Sequence, residues 1–191
     1  MGKSTGEMRE KILQAAKKLF AKQGYEGTSI RQICEEAGAN IALVSYYFGG
    51  KEKLFYAVFD EYFHAFDIQY TDPIEGLREF VRILIERRVH FMEIGDILMS
   101  EFAMGTPRSE KLLQYTMPTW EVLKKILVQG KEEGKFQFSS VEYAFHMIMA
   151  VLLFPRYTLR RGPYPLQYDL SVEEMIEATL QFIFDGLLVK K

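Results

Sequence analysis

Two short helical patterns flank a single glycine turn between residues 28 and 48, and that spacing restricts the fold more than any other stretch of the chain. Ile30, Ile33, Cys34 and Ala37 recur at i, i+3, i+4 and i+7, the apolar face of one helix. Gly38 follows, suited to the left-handed conformation that ends a helix, and Asn40 is a good N-cap for the next. The second pattern, 41–48, is too short to be stable alone, so Val44 and Phe48, four apart, must anchor it by packing. Helix, tight turn and short helix make the layout of a helix-turn-helix, whose second helix enters the DNA major groove. With Val44 and Phe48 inward, Ala42, Ser45, Tyr46 and Tyr47 face out, and Ile41 and Leu43 do so in part. A solvated helix would carry Lys and Glu there. Small, hydroxyl-bearing and apolar groups instead suit base edges, thymine methyls and phosphates.

The rest of the chain reads as helix throughout. Residues 7–23 carry a core stripe of Ile12, Leu13, Ala16, Leu19 and Phe20, with Gly24 as C-terminal cap and Tyr25 packing just beyond. Thr28 is expected to cap the next helix, and with Ser29 it stands where a phosphate meets unpaired N–H groups. Gly49 and Gly50 turn the chain into a fourth helix, 51–70, opened by Lys51, a candidate phosphate contact. Its wide aromatic stripe, from Leu54 and Phe55 to Phe66, needs cover on more than one side, which makes it a link between head and body. Asp72-Pro73-Ile74-Glu75 combines an N-cap, a first-turn proline and a glutamate three residues on. That helix runs to about 93, a shorter one spans 96–104, and 109–129 is bent or divided at Pro118. Ser139 with Glu142, and Ser171 with Glu174, cap helices 139–154 and 171–188, joined by a connector, 155–170. No strand-type alternation stands out, so the expected fold is all-α with about nine helices.

Residues 7–59 resemble the N-terminal domain of the TetR family of bacterial transcriptional regulators. The resemblance lies in Ile12-Leu13-Gln14-Ala15-Ala16 with Leu19-Phe20, Gly24-Tyr25, Thr28, Ile33, Ala37-Gly38, Tyr46-Tyr47-Phe48 and Lys51-Glu52-Lys53-Leu54-Phe55. It implies a helix-turn-helix head over 1–50 and a ligand-binding and dimerisation body over 51–191, with the helix 51–70 linking the two. The candidate DNA contacts are Thr28, Ser29, Asn40, Ala42, Leu43, Ser45, Tyr46, Tyr47 and Lys51.

Charge and cysteine content fit such a molecule. Residues 1–53 hold nine Lys/Arg and six Asp/Glu, net +3, while the remainder is net −5, which suits a protein that presents one end to DNA. A single cysteine, Cys34, on an apolar face, reads as a core residue and fits a cytoplasmic protein. The longest apolar run, 143–154, is too short to span a bilayer, so no membrane is expected as a partner. His64, His90 and His146 have no metal spacing, and no phosphate loop or nucleophile motif is present. No metal, cofactor or enzymatic activity is expected.

Two features of the body point to its work. Met147 and Val151, then Ile176, Leu180, Ile183, Phe184 and Leu187, spread the apolar stripes of the last two helices beyond one face, as a twofold dimer through a four-helix bundle would require. Two heads about 34–36 Å apart would read a near-palindromic operator in double-stranded DNA. Methionines and aromatics crowd residues 91–149, and Phe91, Met92, Met99, Phe102, Met117, Trp120 and His146 are candidates to line a site for a small hydrophobic ligand. The reading is a homodimeric repressor released from DNA by that ligand. A ligand-independent regulator or activator, and a helical interaction module of the same shape that has lost DNA binding, remain the alternatives.

Overall fold

The computed structural model describes residues 2–63, 68–161 and 169–188, and among these the chain is all-α. Ten helices stand among the described residues. They cluster into two compact units, Met1–His64 with Phe91–Ser109, and Ala65–His90 with Glu110–Lys191.

In the first unit α1 (Gly2–Gly27) buries Ile12, Ala15, Ala16 and Phe20, and its helical path is interrupted at Gly24 (φ 74°, ψ 173°), where a cap is expected. The next two helices are α2 (Ile30–Ala37) and α3 (Ile41–Phe48). The expected single helix 51–70 is two: α4 (Lys51–Ala57) and α5 (Asp60–Phe63). Leu54, Phe55, Tyr56, Val58 and Phe59 are all buried, more than one face of a straight helix can bury, and a turn at 58–59 brings both sides inward. Phe66 and His64 lie outside the described residues. The unit is completed by α7 (Met92–Met104), which packs on α1 through a face that buries Ile94, Ile97 and Leu98. By compactness α4, α5 and α7 therefore group with the head, whereas the division drawn from the sequence falls at residue 50.

The second unit is built on α6 (Pro73–His90), most of α8 (Pro107–Glu132), α9 (Val141–Arg161) and α10 (Val172–Leu187). Asp72 caps α6 as its sequence predicts, accepting from the Ile74 N–H at 2.7 Å and pairing with Lys135 at 3.1 Å. Those hydrogen bonds hold its carboxyl below the usual range. Three expectations shift. Pro118 does not divide α8, which runs as one helix through it; the proline is exposed, so the carbonyl it leaves without an N–H partner can meet water. The cap of α9 is Ser140, one residue later than Ser139, its Oγ accepting from the Tyr143 N–H at 3.2 Å and donating to Glu142 at 2.8 Å. That helix also continues past 154 to Arg161. Residues 162–168 of the connector lie outside the described set. The capping box of Ser171 and Glu174 forms as its spacing implies.

A close approach fixes the far end of this unit. Gly130 in α8 carries the buried ring of Phe136 directly against its backbone, and the Phe136 N–H donates to the Gly130 carbonyl at 2.9 Å. An added Cβ would collide with the Phe136 ring. Alanine normally gains about 1 kcal/mol over glycine inside a helix, but overpacking costs about 1–3 kcal/mol, and here the backbone bond stops the ring from moving aside. Gly130→Ala is therefore expected to lower stability, and a denaturant midpoint equal to or above wild type would contradict this account.

Candidate nucleic-acid interface

Two caps set the turn between α2 and α3. Ser29, one residue after the expected Thr28, is the N-cap of α2, in a reciprocal capping box with Gln32. Thr28 is 1% exposed and donates its hydroxyl to the Gly24 carbonyl at 2.8 Å, so its side chain braces the α1–α2 link and offers nothing to a phosphate. Gly38 ends α2 in the left-handed region (φ 64°), and Asn40 caps α3, its Oδ1 accepting from the Ala42 N–H at 2.9 Å. The Asn40 side chain is thus committed to the helix terminus that it was expected to cap.

On α3 only Val44 and Phe48 are buried, as their spacing implies. Ala42, Ser45 and Tyr46 are exposed, Tyr46 at 77%, while Leu43 and Tyr47 are half-buried. The two tyrosine rings meet edge to face at 5.1 Å, which limits where Tyr46 can point. Gly49 (φ 74°) caps α3, donating to the Ser45 carbonyl at 2.9 Å, and Gly50 has φ 125°. Both take backbone conformations that other residues adopt only under strain. Gly49 and Gly50 are there for the turn.

Beneath this surface lies a cluster centred on Tyr25. Its ring stacks on Phe20 (5.8 Å) and meets Phe55 edge-on (5.1 Å). The Lys51 ammonium and the Arg108 guanidinium each lie 4.0 Å from its centroid. Burial, then the nearby Glu52 carboxylate, raises the Tyr25 hydroxyl above its ordinary pKa, and the same two causes act on Tyr56. Arg108 also pairs with Glu26 and with Glu101 at 3.0 Å, and Glu101, whose side chain is 2% exposed, accepts a short hydrogen bond from the Thr106 hydroxyl. The sequence reading does not single out Glu101 or Arg108. A signal existed: Glu101 stands four residues after Ile97 and three after Leu98, on the buried face of α7. Cys34 is buried among apolar groups, which raises its thiol pKa, in keeping with a core role.

The candidate ligand residues fall in both units. Phe91, Met92, Met99 and Phe102 belong to the first, with Phe91 edge-on to Tyr62 at 5.5 Å and Met92 exposed. Met117, Trp120 and His146 belong to the second. There Met117 is exposed, Trp120 meets Phe145 edge-on at 6.3 Å, and exposed His146 holds its Nδ1 2.6 Å from the Glu142 carbonyl of its own helix.

The dimer expectation also needs correction in detail. Ile176, Leu180, Ile183, Phe184 and Leu187 are core residues of their own unit, packed against α6 and α9, and supply little outer surface. Met147 is exposed and Val151 half-buried. Among the described residues of α9 and α10, Tyr143, Met147, Leu153 and Phe182 are large exposed apolar side chains, and Tyr143, Met147 and Phe182 line an apolar groove of about 470 Å³ between the two helices. Among the described residues no group of His, Cys, Asp and Glu could hold a metal ion, and no helix is long and apolar enough to cross a membrane.

Comparison with known proteins agrees with this geometry. Residues 12–58 match the family model for the N-terminal region of bacterial regulatory proteins of the tetR family. The chain is 31% identical to the HTH-type transcriptional repressor NicS of Pseudomonas putida, over 93% of this chain and 89% of the relative. It is 36% identical to the HTH-type transcriptional repressor AcnR of Corynebacterium efficiens, over 76% and 77% of the two chains. The crystal structure of HlyIIR, a hemolysin II transcriptional regulator, superposes with a TM-score of 0.77 at 34% identity, over 97% of this chain and 99% of that one. An α3 held by two buried anchors, with an uncharged outer face, sits inside the matched stretch, and on these grounds the chain belongs to the TetR family of DNA-binding transcriptional regulators.

Proposed function

We propose that the protein is a homodimeric repressor that occupies a near-palindromic operator and leaves it when a small hydrophobic ligand binds. The observation that carries this is the outer face of α3, where Ala42, Ser45 and Tyr46 stand exposed without a charged residue among them. Such a face is poorly suited to water and well suited to base edges and thymine methyls. Ser29, Tyr47 and Lys51 hold the head on backbone phosphates, with Asn40 fixing the start of α3. Dimerisation is supported by Tyr143, Met147 and Phe182, three large apolar side chains exposed on α9 and α10. A twofold contact there would close the groove beside them. The repressor assignment follows NicS and AcnR, both named as repressors. Ligand contact along α7, through Met99 and Phe102, would act within the same compact unit as α3 and α4.

Native mass spectrometry tests the reading, using the purified protein and the duplex that flanks its own gene. The expected result is a dimer that binds one duplex and releases it as salt rises, since each phosphate contact expels a counterion. A monomer, or a dimer that binds neither this duplex nor any selected from a randomised pool, would overturn it.

A further inference from the structure

We infer that Arg108 is a positioning residue for DNA binding, acting on Lys51 through the ring of Tyr25; the inference rests on the reading that Lys51 meets a backbone phosphate. Two cations share one aromatic ring, each 4.0 Å from its centroid. One of them, Lys51, opens α4 directly after the turn that ends α3. The other, Arg108, is fixed from the opposite side of the sequence by Glu101 of α7 and by Glu26 at the end of α1. Its side chain is 13% exposed, whereas the Glu26 side chain is 81% exposed, so the Glu101 pair does most of the holding.

The electrostatics give the direction of the effect. A ring attracts a cation through its quadrupole, and two cations on one ring repel each other. Arg108 therefore does two things to Lys51. It fixes the ring over which the Lys51 ammonium lies, and it weakens that ring's hold on the ammonium, leaving the ammonium free to take a phosphate oxygen. Removing the Arg108 charge would let the ring keep Lys51 and would loosen the ring itself. Both consequences lower DNA affinity. The arrangement also joins α7 to the DNA-facing end of α4 by direct contacts, Glu101 to Arg108 to Tyr25 to Lys51, all inside one compact unit. Any displacement of α7 reaches Lys51 by this route.

The test compares wild type, Lys51→Met, the pair Glu101→Gln with Arg108→Gln, and the triple combination. The paired change removes both charges together and leaves two amides able to bond one another, so no carboxylate is stranded. Affinity for a duplex selected by the wild-type protein from a randomised pool is measured against salt concentration. Lys51→Met is expected to lower the slope of log affinity against log salt by about 0.9 for each bound head. The paired glutamine variant is expected to lose the same increment, with affinity down about three- to thirtyfold, and adding Lys51→Met to it should change nothing further. If Lys51→Met lowers the slope while the paired variant keeps the wild-type slope, or if the two effects add, the positioning role is wrong and the phosphate contact stands. If Lys51→Met leaves the slope unchanged, the phosphate contact itself is wrong and the inference falls with it. Should the paired variant not fold, Arg108→Lys, which keeps a cation beside Glu101 while withdrawing the planar guanidinium from the Tyr25 ring, decides by NMR of ¹³C-methylated lysines. The Lys51 signal, identified by its absence in Lys51→Met, must move from its ring-shifted position, and an unmoved signal overturns the inference.

Discussion

Replacing Arg108 with alanine is expected to destabilise the first compact unit by about 3 kcal/mol or more, the usual cost of removing one partner from a buried ion pair. Glu101 is the reason. Its side chain is 2% exposed and has the Arg108 Nε at 3.0 Å, with the Thr106 hydroxyl as its other partner. Without the guanidinium a carboxylate is left in the interior with one neutral donor. The stacking of Arg108 on Tyr25 is lost as well. Guanidinium denaturation followed by near-ultraviolet circular dichroism measures the change, since Tyr25, Tyr46, Tyr47 and Tyr56 all belong to this unit. Glu101→Gln with Arg108→Gln should recover most of the loss, because the penalty comes from the unpaired charge. A loss below about 1 kcal/mol for Arg108→Ala would mean that water reaches Glu101 and takes the place of the guanidinium.

The helix-turn-helix was legible because every one of its devices is local. A glycine that must take positive φ, an Asn cap and two anchors four apart are each fixed by a few adjacent residues. Caps are one residue out at Thr28 and Ser139 because neighbouring hydroxyls, Ser29 and Ser140, are equally able to cap, and only the path of the preceding chain selects between them. The Glu101–Arg108–Tyr25 cluster was not legible as a unit, since its members lie 76 to 83 positions apart in sequence or on either side of a loop, and no local periodicity connects Tyr25 with residue 108. The apolar stripe of α10 misled in a different way. Ile176, Leu180, Ile183, Phe184 and Leu187 look like surplus hydrophobicity when the helix is viewed alone, yet α6 and α9 cover them, and the exposed remainder is Phe182.

Phe48→Ala and Tyr46→Ala, two positions apart on α3, are both expected to lose DNA affinity, the first with the stability of the head and the second without it. Phe48 is buried, has the Arg9 guanidinium 5.0 Å from its ring centroid and the Tyr47 ring at 6.4 Å, and is one of only two buried residues in an eight-residue helix. So short a helix has no stability of its own, so truncating an anchor removes about 3 kcal/mol of packing and releases the helix from the fold. DNA affinity should then disappear together with much of the head's stability. Tyr46 is 77% exposed, and its ring meets that of Tyr47 edge to face. Tyr46→Ala should leave the unfolding midpoint within about 0.5 kcal/mol of wild type and still cost about tenfold or more in affinity for the selected duplex. Binding isotherms and denaturation curves on the two variants give four numbers. If Tyr46→Ala binds as wild type does, the exposed face of α3 is not the reading surface, and a different face of the head must carry the contacts. If Phe48→Ala keeps both stability and affinity, Val44 alone suffices to hold α3, and the two-anchor account of the recognition helix is wrong.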